Sequence, residues 1–332
     1  MENYKAEKKK INGIFLLLCI VKALIIGLGY ALSYTLVALS DNQKFYEKLI
    51  YDVYTYDSLS GILLEMGIFL LATAVPLIIY FALKGKGTVR ETMFLSKPTF
   101  FQTGYVIGAT TIISGLASNI GASFIYKFYE LFGFDPNEYY ISAEYPSNLW
   151  YIPPVFMLIA FLPALLEELL FRGALMGGMR KFGRVFVILM SGLTFMMMHN
   201  TLEQLPLALS AGICLAYFTY KFRSIWAPVI THFVINLNSA ITGLMFRLMD
   251  NQTFVFAYII YSLLFYSLMI GFLVAGPILY GFKLPAVDKP TAQEKKGRAR
   301  LVFTSPFFYV FILLFIFSVG RLIVDVVSFG LN

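Results

Sequence analysis

The sequence predicts an all-α protein, a polytopic bundle of about eight to nine transmembrane helices. Of its 332 residues, 59% are hydrophobic and only 14% are charged, and the mean hydropathy is +0.74. Soluble domains are less apolar and more highly charged than this. The longest loops have about 20 residues, which is too short for a hydrophobic core of their own. We therefore expect any chemistry to lie in or near the bilayer.

Nine apolar runs approach the length of about 20 residues that crosses a bilayer as a helix. The first is longer than a signal-peptide core and lacks a small-residue cleavage site, so it is expected to be retained. Nine spans fit the loop charges, whereas eight would require one re-entrant segment. The predicted helices are 11–40, 61–84, 102–127, 149–179, 184–200, 204–222, 225–247, 254–282 and 301–329.

The loops between these runs alternate in charge. The first ten residues, the stretch 84–97 and the linker 283–300 are basic, whereas 41–60 and 130–144 are acidic. By the positive-inside rule, this pattern predicts a cytoplasmic N-terminus and an external C-terminus. The net charge of +7 therefore indicates membrane topology, and no nucleic-acid partner is expected.

Ionisable residues inside the spans are few, and each costs about 2.5–3.5 kcal/mol at the bilayer centre on insertion scales. We expect Lys22 and Glu65 to form a structural pair between the first two spans. Cys19 and Cys214 lie in apolar runs, where a disulfide framework is improbable. The remaining candidates of interest are Glu167, Glu168, Arg172, His199 and His232, and the last two are the only histidines in the chain.

Helix geometry places these residues at overlapping depths, so they form a site if their helices are neighbours. With a rise of about 1.5 Å per residue from the cytoplasmic end, Glu167 lies about 20 Å deep, His199 about 22 Å and His232 about 12 Å. Three pairs have i,i+4 spacing, so each pair shares one helix face. They are Glu168 with Arg172, Phe195 with His199, and His232 with Asn236.

This set of side chains suits the hydrolysis of an acyl bond by water. A desolvated glutamate can act as a general base, and a neighbouring imidazole can share the proton. Asn236 and His232 can donate hydrogen bonds to an oxyanion. The set contains no activated serine, cysteine or threonine, so we expect water to be the nucleophile, with or without a metal.

Three motifs resemble those of the CAAX-protease and bacteriocin-processing (CPBP) intramembrane proteases, a family that includes type II CAAX prenyl endopeptidases and abortive-infection (ABI) proteins. They are "EELLFR" (167–172), "FMMMH" (195–199) and "HFVIN" (232–236). The resemblance covers about 150–245. It predicts a protease core at 149–247, preceded by spans of unassigned role in 1–148. The C-terminal spans occupy 248–332, with a basic cytoplasmic linker near 283–300.

The resemblance also implies a role for each residue of the motifs. Glu167 would activate the water with His199 as its partner, and His232 and Asn236 would form the oxyanion site. Supporting or substrate-contacting roles fall to Glu168, Arg172 and Phe195. Zinc held by Glu167, His199 and His232 is an alternative, but Asn236 is a poor zinc ligand and the metal-free form is favoured.

We therefore expect an intramembrane endopeptidase, in contact with membrane lipid, that cleaves a peptide or membrane protein, with a bacterial cytoplasmic membrane favoured. A bacterial peptide is favoured over a prenylated substrate, and the sequence leaves the oligomeric state open. Two alternatives remain. One is a non-catalytic immunity or scaffold protein of the same family, and the other is a proton-coupled transporter, which the missing inverted repeats disfavour.

Overall fold

The computed structural model describes residues 2–38, 56–85, 93–131, 145–146, 148–283 and 292–330. Within these ranges the chain forms ten helices and no β-strand, which confirms the predicted all-α class. The helices are α1 (Glu2–Ala38), α2 (Leu59–Lys84), α3 (Phe100–Leu131), α4 (Leu149–Phe182), α5 (Arg184–Met196), α6 (Gln204–Phe222), α7 (Trp226–Leu248), α8 (Asn251–Tyr280), α9 (Ala292–Phe303) and α10 (Pro306–Gly330).

The number of candidate spans in the described ranges, seven or eight, lies at or just below the lower end of the eight to nine predicted. In the described ranges, seven helices are long and apolar enough to cross a membrane, or eight if the bent pair α9 and α10 forms one span. Helix α5 has 13 residues, about 20 Å at 1.5 Å per residue, and is too short to cross a hydrocarbon core of about 30 Å. The fifth predicted span, 184–200, is therefore wrong as a membrane-crossing helix, because the helix in this region ends at Met196.

The basic linker predicted at 283–300 is partly helical. Residues 284–291 lie outside the described ranges, and α9 begins at Ala292. Its axis bends by 51° relative to α10, where Thr304 and Ser305 separate it from Pro306. Proline lacks an N–H and is well tolerated at the first position of a helix, so the chain restarts as α10 at this point.

Helix α4 carries the first motif and is not a regular α-helix. It contains two π-helical segments, Met157–Phe161 and Leu169–Leu175. In the first, the Leu162 N–H bonds to the carbonyl of Met157, five residues earlier. Pro163 follows directly and has no N–H to donate to an earlier turn, which favours such a widened turn. The π segments change which residues of α4 face its neighbours.

Two glycines bring α5 and α6 into close contact. A Cβ atom added to Gly212 of α6 would lie 2.9 Å from the Cα of Gly192 in α5. Small residues allow helix backbones in membranes to approach in this way. The main hydrophobic core surrounds this helix pair and includes buried residues of α1, α4 and α10. In contrast, α8 lies at the periphery: only 11% of its most apolar 18-residue stretch is buried inside the protein.

Candidate active site

The first part of the site is a buried group of charged side chains, which we call the ion network: Glu168, Arg172 and His232. Glu168 and Arg172 are both 0% exposed, and Arg172 Nε lies 3.0 Å from Glu168 Oε2. The other carboxylate oxygen, Oε1, lies 3.1 Å from His232 Nδ1. An ionised carboxylate only accepts hydrogen bonds, so Nδ1 carries the proton and donates it. Glu168 is thus held from both sides.

Arg172 also connects the ion network to α6. Its Nη2 donates to the backbone carbonyl of Gly212 at 3.0 Å. A carbonyl in the middle of a helix is accessible only if nothing bulky covers it, and the lack of a side chain at Gly212 provides this access. Because Gly212 also packs against Gly192, the same small residues position both the helix and the arginine.

Phe195, on α5, packs at the centre of the site. Its ring centroid lies 5.1 Å from that of His199 and 5.6 Å from that of His232. The guanidinium carbon of Arg172 lies 5.0 Å from the same ring centroid, within the range of a cation–π contact. Phe195 therefore lies among the polar side chains of the site, and the supporting or substrate-contacting role predicted for it stays a prediction.

Glu167 and His199 form the second part of the site, which we call the cavity wall. Both line a cavity of about 60 Å³ together with apolar residues of α1 and α4. The Glu167 side chain is 21% exposed, whereas that of its neighbour Glu168 is 0% exposed. Successive residues of a helix point about 100° apart. Two adjacent glutamates therefore face different surroundings, a cavity and an ion network. The cavity is lined by Val21, Ile25, Thr73, Leu166, Glu167, Leu170, Met198 and His199.

His199 lies beyond the end of its helix. The prediction extended this helix to residue 200, but α5 ends at Met196 and the chain continues through turns. The ring Nδ1 of His199 lies 3.0 Å from the carbonyl oxygen of Phe195. A carbonyl only accepts, so Nδ1 is the protonated nitrogen. In the neutral ring, Nε2 is therefore left as a hydrogen-bond acceptor.

The two parts of the site meet between His232 and Glu167. The His232 Nε2 lies 4.0 Å from Glu167 Oε2. This separation is too long for a direct hydrogen bond, but it can be bridged by one oxygen atom bonded to both groups. The structure thus brings Glu167, Glu168, Arg172, Phe195, His199 and His232 together from three helices and the turn after α5.

Asn236 lies one turn after His232 on α7 and is half-buried. Its carboxamide makes no hydrogen bond with the part of the chain that the structure describes. It therefore remains available to a ligand, and its role at an oxyanion stays a prediction.

Lys22 contacts the chain on both sides of His199, and the sequence did not reveal these partners. The predicted pair with Glu65 is wrong, because Lys22 Nζ donates to the Met198 carbonyl at 3.0 Å and to Asn200 Oδ1. Glu65 is hydrogen-bonded instead to Tyr56. Two features of the sequence pointed towards this contact: a lysine lies within an apolar run, and the polar residue Asn200 directly follows the motif histidine. Neither feature showed that the two residues are partners.

The residues considered for zinc do not form a ligand set in this arrangement. Across the described ranges, no three histidine, cysteine, aspartate or glutamate side chains converge in a way that could hold a metal ion. His232 Nδ1 is engaged by Glu168 and His199 Nδ1 by the Phe195 carbonyl. Each ring keeps Nε2 for another partner, as histidine ligands of metals also do, so these hydrogen bonds do not themselves exclude zinc, and the metal-free form stays a prediction.

The fold and site define a multi-pass membrane protein in which two glutamates, an arginine and two histidines, buried or half-buried, line or adjoin a small cavity. Residues 149–238 match the family model described as Rce1-like, type II CAAX prenyl endopeptidase Rce1-like. This match confirms the resemblance found in the three motifs, and it covers 90 of the 332 residues. At the family level it supports a CAAX-type intramembrane protease. No curated protein and no solved structure matches the chain significantly.

Proposed function

We propose that this protein is an intramembrane endopeptidase that hydrolyses a peptide bond with water activated by Glu167 and His199. One observation carries the proposal: Glu167 and His199 line the same cavity, whereas Glu168 is held by Arg172 and His232. A carboxylate with no cationic partner in direct contact can accept a proton. A carboxylate already bound on both sides serves better to orient its neighbours.

In the proposed reaction, Glu167 removes a proton from water as the water oxygen attacks the scissile carbonyl carbon. The Nε2 of His199 accepts the second hydrogen bond of that water. The carbonyl double bond opens to an oxyanion, which reforms the double bond as the C–N bond breaks. Glu167 then returns the proton to the leaving nitrogen. A positioned general base of this kind contributes about 10²–10⁴-fold to the rate.

The position of His232 supports a role for it at the oxyanion. Its Nδ1 faces Glu168, and its Nε2 lies 4.0 Å from Glu167 Oε2. In the imidazolium form, this Nε2 would carry a proton directed towards the space beside Glu167. Such a donor stabilises developing negative charge in a low-dielectric site. Asn236, one turn further on, would supply a second donor.

The proposed substrate is a peptide or membrane-associated protein reached from the cytoplasm or the bilayer. Glu167 lies near the middle of α4, a 34-residue helix, which favours cleavage below the membrane surface. We place the protein in a cell membrane with its N-terminus in the cytoplasm. The first ten residues contain four lysines, at 5, 8, 9 and 10, and lysine-rich segments beside a span favour the cytoplasmic side.

The test compares the purified wild type with Glu167→Gln on a library of membrane-anchored and soluble peptides. We expect the substitution to lower kcat by about 10²–10⁴-fold while the protein stays folded. Glu130→Gln, at an exposed position near the end of α3, is the matched control and should cleave like the wild type. Undiminished cleavage by Glu167→Gln would contradict the mechanism.

His199→Gln provides a second arm of the same experiment. It removes the Nε2 acceptor but keeps a polar side chain near the cavity, so kcat should again fall. Metal analysis of the purified protein accompanies both arms. A stoichiometric metal that is lost in both variants would mean that the two residues rearrange to bind it, and would overturn the metal-free form of the proposal.

A further inference from the structure

A fully buried lysine from outside the matched segment contacts the site. Lys22 lies in the apolar part of α1 and is 0% exposed, more than 120 residues before residue 149, where the family match begins. Packing alone does not require a charged amine there, since leucine or methionine would fill the same volume without desolvating a charge. A buried ammonium group needs acceptors, and the identity of those acceptors indicates what it does.

The acceptors of Lys22 lie on both sides of His199. The amine donates to the carbonyl of Met198 and to the side-chain oxygen of Asn200. These residues immediately precede and follow the histidine. The contact therefore spans about 176 positions of sequence and holds the one stretch of chain that carries His199.

The chain around His199 does not belong to a helix. Helix α5 ends at Met196, and the His199 backbone N–H bonds to the Met196 carbonyl in a single turn. Carbonyl groups at the C-terminal end of a helix lack partners within the helix. A cation near that end satisfies such a carbonyl and is favoured by the helix dipole. Lys22 therefore acts as a cap provided by another helix.

The same part of α1 also forms the cavity. Val21 and Ile25, on either side of Lys22, line it together with Glu167 and His199. Lys22 and Glu167 both act electrostatically on His199. One turn of the first helix thus contributes a wall of the cavity and the amine that fixes the segment opposite it.

We propose that Lys22 is a positioning residue for His199, so that the first transmembrane helix is part of the catalytic unit. The lysine fixes the backbone on both sides of the histidine, and the Phe195 carbonyl fixes the ring through Nδ1. Together they direct Nε2 into the cavity. This inference rests on the proposed function, but its central test below does not require activity.

The central test uses the fact that the chain has two histidines. Labelling with ¹⁵N-histidine gives two sets of ring signals, which His199→Gln and His232→Gln assign. In Lys22→Met, we expect the His199 ring signals to shift or broaden while those of His232 stay in place. Lys9→Met, at an exposed position of the same helix, is the matched control and should move neither. Unchanged His199 signals in Lys22→Met would overturn the proposal.

Kinetics separate positioning from a general structural effect. A misplaced catalytic group lowers kcat, so Lys22→Met should lose on the order of 10-fold to 100-fold in kcat with little change in KM. In a His199→Ala background, Lys22→Met should cause no further loss, because the residue it positions is gone. The same fractional loss in both backgrounds would show a structural role and contradict the inference.

Two further variants keep the test decisive if Lys22→Met folds poorly. Asn200→Ala removes one acceptor and should shift the His199 signals in the same direction, and combining it with Lys22→Met should be less than additive. Lys22→Arg retains a cation and should recover part of kcat. If no peptide is cleaved by the wild type, the proposed function fails, whereas the ring signals still decide the role of Lys22.

Discussion

The ion network and the cavity wall each contain one of two adjacent glutamates of α4, yet the surroundings of these glutamates differ. In the ion network, Glu168 has a partner on each side and is 0% exposed. In the cavity wall, Glu167 is partly exposed, and its Oε2 lies 4.0 Å from His232 Nε2. Buried charge thus serves two purposes here. A compensated charge holds helices together, and an incompletely compensated charge is free to react.

This difference predicts that the two regions respond differently to mutation. Changes in the ion network should first affect stability, because they leave a buried charge without its partner. Changes in the cavity wall should first affect the rate, because little of the fold depends on them.

The largest effect is expected for Arg172→Ala. The substitution leaves Glu168 buried without its cation and removes the hydrogen bond to the Gly212 carbonyl. Breaking a buried ion pair by removing one partner costs about 3–5 kcal/mol. Thermal unfolding in detergent should show a large drop in Tm, and Arg172→Lys should recover little of it because a single ammonium cannot reproduce the guanidinium fork.

Arg247→Ala is the control for this change. Arg247 is exposed in the last turn of α7, so its removal should leave Tm nearly unchanged. Glu167→Gln should also unfold close to the wild-type temperature. If Glu167→Gln proves as destabilising as Arg172→Ala, the distinction between the two regions does not hold.

An intermediate effect is expected for Gly212→Ala. The added Cβ atom would lie 2.9 Å from the Gly192 Cα, a backbone atom that cannot rotate away. The helices must separate slightly, which weakens the approach of Arg172 to the Gly212 carbonyl. Overpacking of this kind costs about 1–3 kcal/mol, against which the higher helix propensity of alanine returns up to about 1 kcal/mol.

Gly115→Ala measures that propensity gain alone. Gly115 lies in α3, and an added Cβ atom there would meet nothing within 4 Å. Thermal unfolding should therefore show a slightly higher Tm for Gly115→Ala and a lower one for Gly212→Ala. Equal behaviour of the two variants would indicate that the close contact between α5 and α6 is not required by the ion network.

Sequence patterns located the helices well because hydropathy depends on composition over about 20 residues. They located the end of α5 poorly. Met196, Met197 and Met198 are equally apolar, so no change of composition marks the point where the helix stops and the turn to His199 begins. The π segments of α4 were not predicted either, because neither hydropathy nor a proline specifies a π turn in place of an α turn.

The residues of the site were predicted better than their partners. An ionisable side chain in a span is conspicuous in the sequence, and Glu167, Glu168, Arg172, His199 and His232 stood out in this way. Pairing depends on which helices are neighbours, which a single sequence does not specify. Lys22 was therefore assigned to Glu65 in the next span, whereas its partners, Met198 and Asn200, lie about 176–178 residues away.

The smallest change in stability is expected for Asn236→Leu. The carboxamide makes no hydrogen bond within the described residues, so leucine, of similar size and apolar, should alter the free energy of unfolding by less than about 0.5 kcal/mol. The effect on the rate should be larger. If Asn236 donates to the oxyanion, its loss should lower kcat by about 10²–10³-fold with KM nearly constant.

The discriminating control is Asn238→Leu, because Asn238 accepts a hydrogen bond from Tyr261 of α8 and its substitution should cost stability. A variant of Asn236 that unfolds early but retains its kcat would assign this residue to packing, and would leave His232 as the one proposed donor on α7.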